Sequence, residues 1–435
     1  MKLMEMLRNC PVKKIHGNPD IDLKGLHYDS RQVSRDDAFF ALRGVVSDGH
    51  DYIDSAIANG ARVVFCEEMP RHVEAVTIVL VDNARRAMAM ASSEFYGNPT
   101  RGMQTVGITG TNGKTTITYL LEAILNEAGL NPAVIGTINY RFGSDLRQAP
   151  HTTPEALELM KQVSDFRCIG ARSLVMEVSS HALDQYRVDG VHFQVGVFTN
   201  LTPEHLDYHQ DMESYFASKY HLFKELLPRD NGRAVINVDD DYGQRLAAML
   251  PGALTCGRSD HSDVHPESVE ISLKGIRASV TTPLGTVAIN SPLLGDYNVE
   301  NLLCAIGAAV ALKLPPEVIA TGLANAKGVP GRLEQVENDR GAVILVDYAH
   351  TGDALRRVIE AMQELSPSRI LTVFGCGGDR DRSKRPIMAE VAARGSDIAI
   401  ATSDNPRTEN PRQILDDVRA GLDRVHKQEW SRADA

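Results

Sequence analysis

Positive charge is the minority sign in this 435-residue sequence: 46 Lys and Arg face 57 Asp and Glu, for a formal net charge of −11. A general nucleic-acid surface needs a basic face, so that class of partner is not expected. An anionic small ligand stays open, because a local nest of backbone N–H groups binds phosphate even on an acidic protein. Cysteine is sparse and scattered: Cys10, Cys66, Cys168, Cys256, Cys304 and Cys376 contain no Cys-x-x-Cys pair. That pattern fits reduced, packed thiols and speaks against a disulfide frame or a zinc site. No stretch approaches the ~18 consecutive apolar residues of a membrane span. The opening MKLMEMLRNCPVKK puts Glu5 and Arg8 where a secretory signal needs its apolar core. A cytoplasmic protein without a membrane role is expected. Internal repeats and low-complexity tracts are also missing.

Hydrophobic residues at 43% and charged residues at 24% form an ordinary globular mixture. At about 150 residues per domain, the length suggests about three domains. Residues 1–98 read as a small α/β unit, with β-rich runs at Ala61–Cys66 and Val76–Val81, and Tyr96–Gly102 has linker composition. Residues 99–330 carry strand-like runs at Gln104–Thr109, Ser173–Val178, Phe193–Thr199 and Arg233–Val238 with helical patterns between them, which predicts a largely parallel sheet. Residues 268–290 alternate and turn at Pro283-Leu284-Gly285, an antiparallel appendage, and Asn298–Leu314 is an apolar helix stopped by Pro315-Pro316. Residues 331–435 begin a Rossmann-like pattern with short strands at Ala342–Asp347, Arg369–Phe374 and Asp397–Thr402, a thin sheet for that kind of domain.

The most specific local signal is Gly110-Thr111-Asn112-Gly113-Lys114-Thr115-Thr116, between the Gln104–Thr109 strand and a helix expected over Ile117–Ala128. The usual loop has a glycine four residues before its Gly-Lys, and this sequence has Ile108 at the position that spacing would use. The physics of the shorter variant is the same: glycines let N–H groups approach phosphates, Lys114 pairs with them, and a Thr hydroxyl reaches magnesium. The alternative is an unoccupied glycine turn. The loop indicates nucleotide binding and is silent about what the nucleotide drives.

Taken with further motifs in the same order, this loop resembles that of the Mur ligases. Asp29-Ser30-Arg31 is similar to the family's uridine-site motif. His151-Thr152-Thr153-Pro154, the Glu177–His181 run with Ser179, and Gln185-Tyr186-Arg187 resemble its muramoyl-peptide segments. Asn200–His209 resembles its metal-proximal stretch. Asn298–Asn301, Gly331-Arg332, Asp347–His350 and Asp404-Asn405-Pro406-Arg407 complete the series. The resemblance covers essentially the whole chain. Glu204 stands where the family has Asp, and Gly352 stands where Pro is usual, which is expected to loosen a turn beside the nucleotide. The family's C-terminal Gly-Lys-Gly-His-Glu-like segment has no counterpart, so the third domain is expected to be incomplete.

The resemblance implies a three-domain α/β architecture: a uridine-binding domain at 1–98, a central parallel-sheet ATP-binding domain at 99–330, and a Rossmann-like amino-acid-binding domain at 331–435. The implied activity is ATP-driven amide formation through an acyl phosphate, adding meso-2,6-diaminopimelate to UDP-N-acetylmuramoyl-L-alanyl-D-glutamate in peptidoglycan precursor synthesis, by a monomer. ATP is the co-substrate and Mg2+ the cofactor. Lys114, Lys219, His205, Glu177 and Arg332 are the expected catalytic set. Gly110 through Thr116, Asn301, Arg332, Asp347 and His350 would bind ATP. Ser30, Thr152, Thr153, Ser179, Gln185 and Arg187 would bind the UDP-muropeptide.

Thr115, Glu177, His205 and Lys219, the last as a carbamate, are the expected metal ligands. A carbamate replaces a cation with an anionic oxygen ligand, which magnesium prefers. Read blandly, Lys219 is a solvated lysine on the polar face of an amphipathic helix, and His205 packs or caps a helix. Arg332 is the residue expected to reach the phosphates on domain closure, the alternative being a surface linker charge. Arg380, Asp404, Asn405 and Arg407 would form the amino-acid pocket, which for a zwitterion needs acidic and basic groups together. An Arg at the position of Arg407 goes with diaminopimelate in the family. The plainer alternative pairs Arg407 with Glu409. Competing readings are an incomplete or inactive homologue that binds UDP-muropeptide without turnover, and a regulatory ATPase, weakened by the absence of an Asn-Lys-x-Asp motif. Folylpolyglutamate synthetases share the loop, but Asp29-Ser30-Arg31 and Asp404–Arg407 argue against them.

Overall fold

The structure, a computed structural model, describes residues 1–44, 47–71, 76–228, 232–336 and 338–425. These fall into two compact units, one built mainly from residues 1–268 with 279–289 and 300–326, the other from 327 onward with 269–278 and 290–299.

The first unit holds two sheets. The N-terminal one runs in the order Lys14–His16, Thr77–Leu80, Ala61–Cys66, Asp37–Phe40, Leu26–His27. Only the Lys14–His16 edge is antiparallel. Ala61–Cys66 is β-branched and aromatic, and only Arg62 in it is exposed, as a strand covered on both faces requires. Three of these strands were not expected from the sequence, because runs of two to four residues carry too few alternations to read. The helix Ala84–Phe95, capped by the Asn83 carboxamide on Arg86 N–H at 2.9 Å, lies against the helix Ala156–Cys168, whose Ala156 and Leu157 enter the N-terminal core. Tyr28 donates to Glu158 at 3.0 Å, and Arg86 pairs with Asp189 at 3.2 Å. The first two sequence domains therefore share a buried face.

The central sheet has eight strands: Leu254–Cys256, Arg233–Asn237, Val195–Phe198, Gln104–Thr109, Ser173–Glu177, Pro132–Ile135, Asn139–Phe142, Asp145–Gln148. The first six are parallel, as expected, and the last two add an antiparallel hairpin turned at Gly143, where φ is +56°. Gln104–Thr109 lies between Val195–Phe198 and Ser173–Glu177, so the chain crosses to both sides of it. Open parallel sheets bind ligands at the carboxyl ends of strands at such a switch point. His265–Ser272, Gly275–Thr281 and Val287–Ser291 form a three-stranded sheet in that order where an antiparallel appendage was expected over 268–290, with Thr282 closing the Pro283-Leu284-Gly285 turn.

In the second unit Leu371–Cys376 and Ile398–Ser403 pair in parallel, Leu371 opposite Ile398. Helices Gly352–Glu364, Lys384–Gly395 and Pro411–Leu422 pack a core of Leu355, Ile359, Phe374, Met388, Ile414 and Val418 against them. The third expected strand does not join this pair. Ile344–Val346 pairs antiparallel with Glu334–Val336 instead, because a turn containing Gly341 at φ +70° folds the chain straight back. Gly352 does not loosen a turn either. It is buried as the first residue of its helix, where a Cβ would lie 2.6 Å from Ile387 Cγ2, and Thr351 caps that helix on Ala354 N–H at 3.2 Å.

Candidate active site

Two conformational demands shape the phosphate loop. Gly110 has φ +149° and Gly113 has φ +87°, and a Cβ on either would meet Thr199 Oγ1 at 1.9 Å or Asn301 Oδ1 at 2.2 Å. Only glycine fits both positions. Thr199 Oγ1 donates to Asn112 O at 2.6 Å, and Asn200 Oδ1 accepts from Asn112 N–H at 2.9 Å, so the strand end at 199–200 grips the loop. The helix Lys114–Glu127 starts at Gly113 with no side-chain cap, which leaves its first N–H groups and positive dipole end available to an anion. Buried Thr111 and Thr116 flank that opening. Lys114 Nζ donates to Gly110 O at 2.9 Å and Thr111 O at 2.8 Å.

Lys219 overturns its bland reading. It lies on the helix Met212–His221 on the same face as Tyr215 and Phe216, and is only 1% exposed. Its Nζ donates to the same Gly110 carbonyl at 2.9 Å and sits 4.5 Å from the Tyr215 ring centre. Burial, then the nearby Lys114 charge, pushes its amine well below the usual lysine range. Glu177, at the end of its strand, accepts from Thr115 Oγ1 at 3.0 Å and from Thr137 N–H at 2.9 Å and Oγ1 at 3.0 Å. Thr115 and Glu177 thus form an oxygen-only donor pair beside the loop. That suits magnesium, which takes oxygen ligands and keeps several waters. Among the described residues no three His, Cys, Asp or Glu side chains gather as a metal site, so any ion here would rely on water and phosphate oxygens as well.

His205 is held at φ +58° at the head of the short helix Leu206–His209, its ring 4.9 Å from His181 and 6.2 Å from Tyr215. Burial lowers its pKa, and His181 is pushed down to about 4 by burial and then by His205 and His209. Neutral imidazoles are the form that ligates metals.

The residues expected to hold the muropeptide interlock around the same strand end. Thr153 Oγ1 donates to Glu177 O at 2.7 Å and accepts from Ser179 N–H at 3.1 Å, and Thr152 Oγ1 lies 3.0 Å from Thr137 Oγ1. Arg187 forks onto Gln185 Oε1 at 3.1 and 2.7 Å, donates to Thr153 O at 3.0 Å and pairs with Glu155 at 3.0 Å. Ser30 lies on the N-terminal sheet's side, in a tight turn whose carbonyl accepts from Asn59, with Asp29 forked by Arg31. A cleft of about 300 Å³ is lined by Arg43, Asn83, Arg85, Gln185, Tyr186 and Tyr208.

In the second unit Arg332 lies 5.3 Å from the Tyr348 ring centre, and Asp347 accepts from Leu333 and Ala349 N–H, both at 2.8 Å. His350 is exposed, with its Nδ1 3.1 Å from Tyr348 O. Asn301 belongs to the first unit, its carboxamide against Gly113. Arg380, Asp404, Asn405 and Arg407 sit on the two loops that follow the parallel strands. The loops lock together: Gly378 N–H donates to Asn405 O at 2.9 Å, Arg407 Nη1 donates to Gly378 O at 2.6 Å, and a Cβ on Gly378 would lie 1.8 Å from Pro406 O. Glu409 does not pair with Arg407. It is taken by Arg385, at 2.7 and 2.9 Å.

Several contributors were not singled out from the sequence. Thr137 makes two bonds to Glu177, Tyr215 reaches Thr111 Oγ1 at 3.2 Å, and His209 stacks on Tyr215 at 5.0 Å. The only local signal for Thr137 is Gly136 after an apolar strand, where a Cβ would meet Glu177 Oε1 at 2.5 Å.

A parallel sheet with a glycine phosphate loop at its switch point and a buried carboxylate–hydroxyl pair beside it is the arrangement of a nucleotide-binding enzyme. The chain belongs to the Mur ligase family: the Mur ligase family catalytic domain matches residues 22–96, the Mur ligase middle domain 108–309, and the Mur ligase glutamate ligase domain 331–435. Its architecture is the three-domain α/β one of that family. A UDP-N-acetylmuramoyl-L-alanyl-D-glutamate–2,6-diaminopimelate ligase of Geobacter metallireducens is 52% identical over 97% of this chain and 84% of that protein. The enzyme of that name from Gloeobacter violaceus is 47% identical over 97% and 86%. A solved structure of a ligase with the same name superposes with a TM-score of 0.75 at 32% identity, covering 97% of this chain and 86% of that one. No helix among the described residues is long and apolar enough to cross a membrane.

Proposed function

We propose that this chain uses ATP to join meso-2,6-diaminopimelate to the D-glutamate carboxyl of UDP-N-acetylmuramoyl-L-alanyl-D-glutamate, in peptidoglycan precursor synthesis. One observation carries the reading beyond family membership. The residues of muropeptide type and the phosphate loop meet at a single carboxylate, Glu177, whose side chain holds Thr115 while its carbonyl holds Thr153. A phosphoryl donor and a carboxylate acceptor bound to those groups would be neighbours.

The chemistry follows in two displacements. A substrate carboxylate oxygen attacks the γ-phosphorus of ATP, the bond to the bridging oxygen breaks, and ADP leaves. The neutral amine of the amino acid then attacks the acyl carbon, inorganic phosphate leaves, and the amine proton is lost. Two anions meet in the first step, so Lys114 neutralises charge there, and Arg332 is assigned to the same phosphates. Magnesium, when bound, supplies further neutralisation of the phosphates, and Thr115, Glu177, His205 and Lys219 are the groups that would hold it. Carbamylation of Lys219 would turn a cation into an anionic ligand: the neutral amine attacks the carbon of CO2 and loses a proton, and burial of the side chain works toward that neutral form. Asn301, Asp347 and His350 complete the ATP site in this reading, Ser30 takes the uridine end, and Thr152, Thr153, Ser179, Gln185 and Arg187 take the muramoyl peptide.

Arg407 grips the far carboxylate of diaminopimelate through two parallel hydrogen bonds, with Arg380 on the other carboxylate and Asp404 and Asn405 on the ammonium groups. Among the described residues no carboxylate is in ion-pair contact with Arg407, whose Nη1 donates to Gly378 O and whose charge acts on nearby Asp379, so the guanidinium can still take a ligand carboxylate. Domain boundaries near residues 98 and 330, a monomer and a cytoplasmic location complete the assignment, ATP and the nucleotide sugar being cytoplasmic solutes. The test is phosphate release with each component omitted in turn. Release that requires ATP, the UDP-dipeptide and meso-diaminopimelate, and falls with lysine instead, supports the reading. Release without the amino acid would sink it.

A further inference from the structure

Among the described residues Arg385 heads the large side chains with essentially no exposed surface. It sits in the first turn of the helix Lys384–Gly395, where no catalytic role is available to it, yet it joins both loops of the amino-acid pocket. Its Nη1 donates to Glu409 Oε2 at 2.9 Å and Asp417 Oδ2 at 2.8 Å, and its Nη2 donates to Glu409 Oε1 at 2.7 Å and Gly377 O at 3.4 Å. Glu409 in turn accepts from Asp379 N–H at 2.5 Å, and Asp379 accepts from Thr408 N–H at 3.1 Å and Oγ1 at 2.7 Å. Arg382 closes the far side, forking onto Asp417 at 3.0 Å twice.

Glu409 lies two residues beyond Arg407 in a turn closed by Glu409 N–H on Pro406 O at 3.0 Å. It is therefore the nearest carboxylate in sequence that could satisfy Arg407 internally. A guanidinium satisfied by a protein carboxylate would have to give up that partner to bind a substrate carboxylate, which weakens binding and removes the basis for selectivity.

We propose that Arg385 is a positioning residue for amino-acid selection: by taking both oxygens of Glu409, it keeps that carboxylate off the Arg407 guanidinium, whose Nη1 rests on the Gly378 carbonyl, so that the guanidinium can still take the second carboxylate of the ligand. The inference rests on the reading that Arg407 takes that carboxylate. A buried Arg serves here where Lys would not, because one planar fork spans two carboxylates and a carbonyl at once.

The experiment compares kcat/KM for meso-diaminopimelate and for L-lysine, with the UDP-dipeptide KM as internal control, in the full chain. Arg385→Gln should reduce the preference for diaminopimelate by roughly tenfold or more, through the amino-acid KM. The UDP-dipeptide KM should hold. Arg385→Gln with Glu409→Gln should regain most of the lost preference, since the competing carboxylate is gone. A merely structural Arg385 would give no such rescue. If Arg385→Gln does not fold, Arg385→Lys is used: one amine cannot span all the partners, and a smaller loss in the same direction is expected. Unchanged preference in whichever of these variants folds, or a double variant as poor as the single, overturns the proposal. If that happens while Arg407→Ala abolishes the preference, the pocket reading survives alone. An unmutated protein that uses both amino acids equally overturns that reading instead.

Discussion

The phosphate-loop site and the amino-acid loop pair are held together by different physics. The first is set in six parallel strands, and its anchoring groups are buried: Glu177 and Lys219 are each 1% exposed, and Gly110 and Gly113 are packed against neighbouring side chains. The second stands on two parallel strands with one face open, Val373 being 63% exposed while its neighbour Phe374 is buried. Its geometry comes from ion pairs and interlocked turns, with Arg385 at the centre. A site made by burial is screened less by salt than one made by partly exposed charge pairs. The comparison also separates roles. In the proposed reading, phosphoryl transfer falls to the first site and amino-acid recognition to the second.

The sharpest way to break the contrast is at Lys219. Lys219→Ala should lower kcat by about 10²–10³-fold, the scale of removing one preorganised electrostatic group, and short carboxylates added to the buffer should restore part of it. Turnover at the wild-type level would mean that its burial is only packing. Next comes Arg407→Ala, which should cost roughly 10²-fold in kcat/KM for diaminopimelate, the scale of a lost charged hydrogen-bond pair. Calorimetry should find UDP-dipeptide affinity unaltered, and a parallel loss there would show that the two sites are not separable.

Acid should distinguish the regions less steeply. Glu409 is held below the usual carboxylate range by its hydrogen bonds from Arg385, and Asp417 by those from Arg382. A lowered folded pKa contributes stability that is complete above the ordinary value of about 4 and is lost as pH falls through the folded one. Amide protection in the loops 377–385 and 404–410 should therefore fall with acid before that of the strands Gln104–Thr109 and Ser173–Glu177. Simultaneous loss would mean the clamp adds nothing local. The smallest effect sets the floor: Lys24→Ala removes a solvent-screened pair with Asp36 at 2.8 Å, and the thermal unfolding midpoint should stay nearly unchanged.

The sequence by itself determined the class of the fold, the phosphate loop and the order of the family motifs. Apolar β-branched runs such as Val195–Phe198 and the spacing from Gly110 to Lys114 are local facts, readable wherever backbone geometry depends on neighbours in the chain. The antiparallel hairpin at Asn139–Gln148 and the short N-terminal strands were not readable, since runs of two to four residues show too little alternation and take their hydrogen-bond partners from a neighbouring strand. Tertiary structure alone decided the state of single side chains. A helical wheel places Lys219 next to aromatic residues without saying whether that face meets solvent or the underside of the Gly110 loop, 109 positions away in the chain. The local spacing of Arg407 and Glu409 suggests a pair. Only the packing of the helix Lys384–Gly395 against the loop gives Glu409 to Arg385 instead, because a buried guanidinium needs carboxylates to balance its charge.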